Sequence, residues 1–305
     1  MRGLVLAALL ALWPVGTPGQ EPSDALRIYF FDVGQGDAAL IESPTGQRVL
    51  VDAGPDGGVV EQLRAADVDA IDLFIASHNH ADHIGGAPDV LRSIPVRFYM
   101  DNGIPHTTRT YRTVLETVLE LDVPLLEPER RTIELGDVVL EILPPPGDPD
   151  LGQNNNSIGV LVRFGEFRAF LGGDAEGRLW RYWLENFPET ITRVQVHKAS
   201  HHGSRAGDVP EAMERLRPQI VVVSAASENP YGHPRPEALA LYSQVGATVF
   251  LTGEHGTIVI CADADGGVEV KAEKGEDPVQ LASSAAWAGQ EAGACAPGEG
   301  APSWP

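Results

Sequence analysis

SHNHADHIGG, residues 77–86, decides how the rest of this 305-residue chain is read. It brings His78, His80, Asp82 and His83 together, directly after the apolar run IDLFIA at 71–76. That run is short and rich in strand formers, which predicts a buried strand with the histidines in the loop leaving it. Gly85 and Gly86 permit a sharp turn, and 87–93 reads as a helix. In an extended segment side chains alternate, so His78, His80 and Asp82 are expected on one side, with His83 turning in from the bend. Imidazole nitrogen and carboxylate oxygen are the preferred donors for catalytic zinc and related divalent ions. A polar surface loop that merely happens to be His-rich is the plainer alternative. It leaves unexplained why so many of the nine histidines in the chain meet behind a strand.

HNHADH fits an HxHxDH pattern, and further stretches follow in order: FFDVGQGDAALI (30–41), VLVDAG (49–54), NNNS (154–157), FLGGDAE (170–176), HKASHHGS (197–204) and NPYGHPRPE (229–237). On these residues the chain resembles the metallo-β-lactamase superfamily, and within it the β-lactamase-like domain of ComEC-type DNA-internalisation proteins. The resemblance implies an α/β fold, a four-layer αββα sandwich of two mixed sheets with helices outside. It also implies two divalent metal ions. His78 and His80 would hold the first; Asp82, His83 and His202 the second; Asp174 would be shared. Zinc is the first choice because of the histidines, while the Asn and Asp oxygens would also suit manganese. Asp82, His201 and His233 are expected to carry the chemistry, with Asn156, Ser157 and His233 facing substrate. The reaction implied is hydrolysis, two ions acidifying a shared water and stabilising charge on the attacked group. Phosphodiester bonds, DNA among them, are the substrate that the ComEC-like motifs suggest. A carboxylic ester, lactone or β-lactam is the alternative, and a non-catalytic binding domain a third reading that the retained ligand types disfavour.

Several of these residues have a second explanation. Asp52 could steady the metal loop from behind or cap the turn DAGP at 52–55, and Asp37 could face the site or serve its own turn. Asp174, taken alone, would be an ordinary N-cap for a helix over 175–186. The amides of NNNS bind transition metals weakly, so the first ion would lie in a more open or oxygen-rich site than three histidines make. Asn156 and Ser157 could hold a phosphate or a water, or simply cap a loop. Of the pair His201 and His202, the resemblance favours His202 as ligand, but neither ring can be oriented from sequence. His197 reads as a satisfied buried strand residue. His233, between Gly232 and Pro234, sits on a stiff loop suited to meeting a leaving group, or is a plain turn residue. His106 and His255 fall in turns and are left unassigned.

The net charge of −21 argues against a general polyanion-binding surface, though not against a phosphate ester held by metals. Residues 1–20, with Arg2 followed by an apolar core over 4–13, read as an export signal, which places the protein in the periplasm or outside the cell. No later stretch reaches the length of a membrane helix, so a channel and a role in DNA uptake are not expected. Residues 21–273 form the hydrolase domain, and 274–305, rich in Ala, Gly, Ser, Pro and Glu, a flexible tail. Cys261 and Cys295 are the only cysteines; any bridge between them is expected to be dispensable. Oligomeric state has no signature here.

Overall fold

The computed structural model describes residues 24–275 and 279–281. The expected export signal and Cys295 lie outside them. The first half of the chain builds most of one sheet: β1 (Leu26–Phe30), β2 (Ala39–Glu42), β3 (Arg48–Val51), β4 (Leu73–Ile75), β5 (Tyr99–Met100) and β6 (Leu125–Leu126). The second half builds the other from β7 (Arg131–Leu135), β8 (Val138–Leu143), β9 (Gly159–Phe164), β10 (Phe167–Leu171), β11 (Val196–Lys198), β12 (Ile220–Val223) and β13 (Thr248–Leu251). The chain then returns to extend the first sheet with β14 (Ile258–Ala262), β15 (Val268–Ala272) and β16 (Val279–Leu281). The orders are β16-β15-β14-β1-β2-β3-β4-β5-β6 and β13-β12-β11-β10-β9-β8-β7. Both sheets are mixed. β3 to β6 run parallel, as do β10 to β13, while the remaining pairs are antiparallel.

Successive residues of the central strands go to different layers. Val49 and Val51 of β3 join the core between the sheets, whereas Leu50 packs outward under the helices. On β12, Ile220 and Val222 face inward and Val221 and Val223 outward. A strand covered on both faces must be apolar throughout, which is why these runs stand out in the sequence. Each such side chain contributes roughly 1.5–3 kcal/mol on burial. Helices α1 (Val59–Ala65), α2 (Ala81–Ile84), α3 (Ala87–Ser93) and α4 (Arg109–Glu120) follow on the first half, and α5 (Gly177–Asn186), α6 (Pro210–Leu216), α7 (Pro236–Gln244) and the short α8 (Thr252–His255) on the second. α4 begins where Thr108 accepts a hydrogen bond from the Tyr111 amide, and it buries Tyr111, Val114, Thr117 and Val118 along one stripe. The expected αββα sandwich is thus the observed one.

Some boundaries move. The strand expected at 193–196 is β11 at Val196–Lys198, because the parallel ladder with β10 pairs Ala169 with Val196 and Leu171 with Lys198. The helix expected from 175 begins at Gly177 with Glu176 at its N-cap position, so Asp174 is not a helix cap. α6 and β15 were not legible beforehand. β16 falls within the stretch whose composition reads as tail.

Among the described residues no helix is long and apolar enough to cross a membrane.

Candidate metal centre

The loops that carry the chemistry all leave the same ends of the two sheets: 31–38 after β1, 52–58 after β3, 76–80 after β4, 172–176 after β10, 199–209 after β11 and 224–235 after β12. His78 follows β4 in extended backbone, and Asn79 points the other way. The Asn79 amide donates to Asn102 Oδ1 at 2.8 Å and to the Ile104 carbonyl at 3.0 Å. The alternation expected for His78 and His80 therefore holds, but it stops there. α2 starts at Ala81, with the amides of His83 and Ile84 donating to the His80 carbonyl at 3.1 and 3.0 Å. Asp82 accordingly reaches the site from a helical turn, not from extended chain. The packing that follows is too close for a side chain. A Cβ on Gly85 would lie 1.9 Å from the Pro55 carbonyl oxygen, and one on Gly86 2.2 Å from that of Asp56.

Asp174 comes from the end of β10. Gly173, at φ +55, lets this strand end press on the histidine loop, since a Cβ there would sit 2.8 Å from Ser77. Asp174 is 1% exposed and divides its two oxygens. Oδ2 lies 3.7 Å from His78 Nε2, while Oδ1 lies 3.2 Å from His83 Nε2 and 3.5 Å from His202 Nε2. His202 Nε2 is also 3.2 Å from Asp82 Oδ2. Two groups of ligand-type atoms result, each within 4.8 Å of one another: His78, His80 and Asp174, and Asp82, His83, Asp174 and His202.

His201 and His202 both adopt the left-handed region, φ 50 and 55, a costly conformation for residues with a Cβ. Other contacts over-determine it. The His201 amide donates to the Gly173 carbonyl at 3.2 Å, and His202 Nδ1 lies 2.9 Å from the Ser224 carbonyl and 3.1 Å from Asp37 Oδ1. This twist sends His202 Nε2 into the cluster and leaves the His201 ring at its rim, with its Nε2 still 3.7 Å from Asp174 Oδ2.

Behind the cluster, Asp52 accepts from the Ser77 amide at 2.7 Å and its hydroxyl at 2.7 Å, and lies 2.8 Å from His83 Nδ1. Asp37 holds His202 and is itself held by the buried Lys198 ammonium. Asp37, Asp52 and His83 form a third group of ligand-type atoms. Asp37 is ion-paired with Lys198 and Asp52 with His83, so we read the group as the frame that aims the ligands.

Charge follows geometry. Burial drives His78 well below the imidazole range, with His83 adding to the effect. Burial opposes the proton on His83 and His202 as well, but the carboxylates around them win. Asp174, Asp52 and Asp37 hold His83 well above its ordinary value, and Asp174 and Asp37 push His202 up to about 9. Asp174 is held well below the carboxylate range by His83 and His202, against its burial. Three buried atoms that converge here, His83 Nε2, Asp174 Oδ1 and His202 Nε2, have no well-formed hydrogen bond. Unpaired polar atoms are rare in an interior, and nitrogen and carboxylate oxygen meeting at one point are a donor set for divalent cations. The residues present fit such ions.

On the rim, His201 Nδ1 lies 3.2 Å from Glu176 Oε1, and Glu176 accepts from the side chains of Asn154 at 3.1 Å and Asn155 at 2.9 Å. Glu176 and Lys198 were not singled out in sequence, although a lysine closing an apolar strand is a signal for a buried ion pair. The His233 ring packs against His202, 6.3 Å between centroids, and His201, 5.8 Å. Burial, helped by His202 and His201, brings it down to about 4, so it is neutral near pH 7. His106, unassigned in sequence, sits beside His80 at 5.5 Å between ring centroids.

The substrate-facing places expected of Asn156 and Ser157 are not where the structure puts them. Both are fully buried. Asn156 donates to the carbonyls of Asp148 and Gly152 and accepts from the Gly147 amide; Ser157 Oγ donates to the Asn154 carbonyl and accepts from the Asp174 amide. Their hydrogen-bonding capacity shapes the loop that backs Asp174. Asn154 and Asn155 are the members of NNNS that reach the rim, through Glu176.

Residues 31–153 match the family model of the metallo-beta-lactamase superfamily. The two-sheet fold and the His/Asp cluster agree with that match, so the chain carries a metallo-beta-lactamase-type domain over this stretch. Among curated proteins it is similar to ComE operon protein 3 of Bacillus subtilis (strain 168), 26% identical over 254 residues that cover 76% of this chain and 32% of that one. It is similar too to Recombination protein 2 of Haemophilus influenzae, 25% identical over 234 residues, 74% of this chain and 28% of that one. The chain thus spans about a third of the length of these relatives. Among solved structures, Igni18, a metallo hydrolase from the archaeon Ignicoccus hospitalis, shares the fold with a TM-score of 0.50 at 16% identity, over 77% of this chain and 98% of that one.

Proposed function

We propose that this protein is a hydrolase of phosphodiester bonds that works with two divalent cations, zinc before manganese. The observation that carries the reading is the division of the Asp174 oxygens between two ligand groups. His78, His80 and Asp174 would hold one ion, and Asp82, His83, Asp174 and His202 the other. When bound there, such ions supply an acidified water and stabilise charge on the attacked phosphoryl group. The rest is the work of this chain. Asp52 and Ser77 keep His83 turned inward, Asp37 and Lys198 do the same for His202, and Gly173 seats Asp174 against the histidine loop. His201, aimed by Glu176, and the neutral His233 stand at the rim, where a leaving oxygen would depart and accept a hydrogen bond or proton.

The likeness to a protein named for recombination supports phosphodiester over acyl chemistry. We place the enzyme outside the cytoplasm on the strength of the apolar segment at 4–13. Metal content and hydrolysis of bis-p-nitrophenyl phosphate and single-stranded DNA, compared between the protein and Asp174→Ala, test the reading. About two ions per chain and activity lost with Asp174 would uphold it. Bound ions without phosphodiesterase activity would shift it to carboxylic esters, lactones or β-lactams, and a protein that binds no ion under any loading would overturn it.

A further inference from the structure

His83 and His202 are aimed through their rings, the one by Asp52, the other by Asp37 and the Ser224 carbonyl. His78 and His80 are not. Among the described residues, His78 Nδ1 meets the Ser77 hydroxyl at 3.2 Å, and His80 Nδ1 meets His78 Nε2 at 3.0 Å, with no carboxylate or carbonyl behind either ring. Their aim therefore depends on the backbone that joins them, the Asn79 peptide. Gln153 holds it. This side chain is 8% exposed; its Oε1 accepts from the Asn79 amide at 3.1 Å and from Asn102 Nδ2 at 3.1 Å, and its Nε2 donates to the Ile104 carbonyl at 3.1 Å. Asn102 closes the circuit. Its Oδ1 accepts from Asn79 Nδ2 at 2.8 Å and from the Ile104 amide at 3.0 Å, and its Nδ2 also donates to the Asn156 carbonyl at 3.0 Å. The three amide side chains come from three segments: the loop after β4, the segment after β5 and the approach to β9. The first two belong to one sheet and the third to the other, so Gln153 ties the sheets together at the peptide that separates two ligands. A buried hydrogen-bonded network of this kind makes rigid what it joins.

We propose that Gln153 is the positioning residue of the first ion site: by fixing the Asn79 peptide it sets His78 and His80 to converge with Asp174. This rests on the two-cation reading and adds to it a separate brace for each ion. Asp52 steadies the second through the His83 ring, and Gln153 steadies the first through the backbone. The loop before β9 thereby gains a task. Its amides, expected where other superfamily members place a histidine, lie one layer behind the ligands: Gln153 and the Asn156 carbonyl steady the histidine loop and the segment beside it, and Ser157 steadies the Asp174 amide. Loss of the Gln153 contacts should weaken one ion and spare the other, which a general loss of stability would not do.

The test loads the full chain with cadmium, a zinc surrogate that gives one NMR signal for each bound ion. The signal lost in His80→Ala identifies the first site. Gln153→Met keeps the length of the side chain and removes its hydrogen bonds to Asn79, Asn102 and Ile104. Under a graded competing chelator it should lose the first-site signal at about 10-fold lower chelator concentration, the low end of the loss when a ligand's support is removed, while the second signal stays where it is in the wild type. Gln153→Glu keeps an acceptor for the Asn79 amide and should restore the first site. Metal-free melts show which variants fold. Where Gln153→Met does not, Asn102→Asp removes the donor to Gln153 and should weaken the first signal with the same selectivity. Equal losses at both signals, an unchanged first signal, or a Gln153→Glu variant no better than Gln153→Met overturns this inference and leaves the two-cation reading standing. A wild type that gives fewer than two signals overturns both.

Discussion

Replacing Asp52 by asparagine isolates the frame behind the metal ligands. Asp52 sits at φ +61, a conformation asparagine also tolerates, so the exchange adds little backbone strain. The Ser77 amide can still donate to Oδ1. The contacts at Oδ2 are lost, because an amide NH2 cannot accept from the Ser77 hydroxyl or from His83 Nδ1–H. His83 is then free to turn, and it loses the carboxylate that makes its Nε2 a stronger donor. Removing such a partner typically costs about 10- to 100-fold in metal affinity, or about 1.4–2.8 kcal/mol. A second effect opposes this. Asp52 is one of the carboxylates that hold His83 above its ordinary value despite burial, so without it the metal-free ring gives up its proton more readily. The deficit should therefore widen as pH rises, because the proton that the wild type must expel no longer masks it. Competition with a chromophoric zinc chelator across a pH series, alongside metal-free thermal melts, measures both. Zinc affinity within about twofold of wild type at every pH, in a folded variant, would refute the reasoning.

Three further expectations follow from the same geometry. With His202 raised to about 9 by Asp174 and Asp37 against its burial, the metal-free ring is protonated at pH 7 and must deprotonate to bind, so zinc affinity should climb with pH up to about 9; titration calorimetry in buffers of differing ionisation enthalpy should reveal the released protons, and buffer-independent heats would contradict this. Asp208→Asn should cost about 1–3 kcal/mol in denaturant melts, since the buried carboxylate holds His197 Nε2 at 2.9 Å, the Ser200 amide at 3.1 Å and the Tyr242 hydroxyl at 2.7 Å. Asp208 is depressed below its ordinary value, its burial outweighed by His197, so this stabilisation is present above the unfolded carboxylate value of about 4 and fades as pH falls through the folded one; a wild-type and variant difference that stays constant from pH 7 to 3 would count against it. Gly173→Ala puts a methyl 2.8 Å from Ser77 Oγ at φ +55, and should lower both stability and metal content; an unchanged melt with two ions bound would show that the close approach is not required.

Much of the architecture was legible because its causes are local. Strands buried on both faces must be apolar along their length, so the runs around Leu50, Phe74 and Val221 could be found one by one. His78, His80, Asp82 and His83 lie within one loop and one helical turn, and adjacent ligands leave a spacing that a reader can recognise. What was misplaced depends on contacts between distant segments. Asn156 and Ser157 carry a polar motif whose targets, the carbonyls of Asp148, Gly152 and Asn154 and the Asp174 amide, turn it inward. Glu176 and Lys198 had no spacing to betray them.

By itself, then, the sequence determined the apolar strands, the helices between them and the histidine loop, because periodicity and ligand spacing are properties of short stretches; the αββα sandwich and the distant donors Asp174 and His202 came from the resemblance carried by its motifs. Only the tertiary structure decided that His202 turns further in than His201, how Asp174 divides its two oxygens, and that Asp37 and Asp52 stand behind the site. Each of those outcomes depends on strand ends from both sheets meeting within a few ångströms, as when Asp37 reaches His202 at 3.1 Å, and that proximity is set by packing and not by order along the chain.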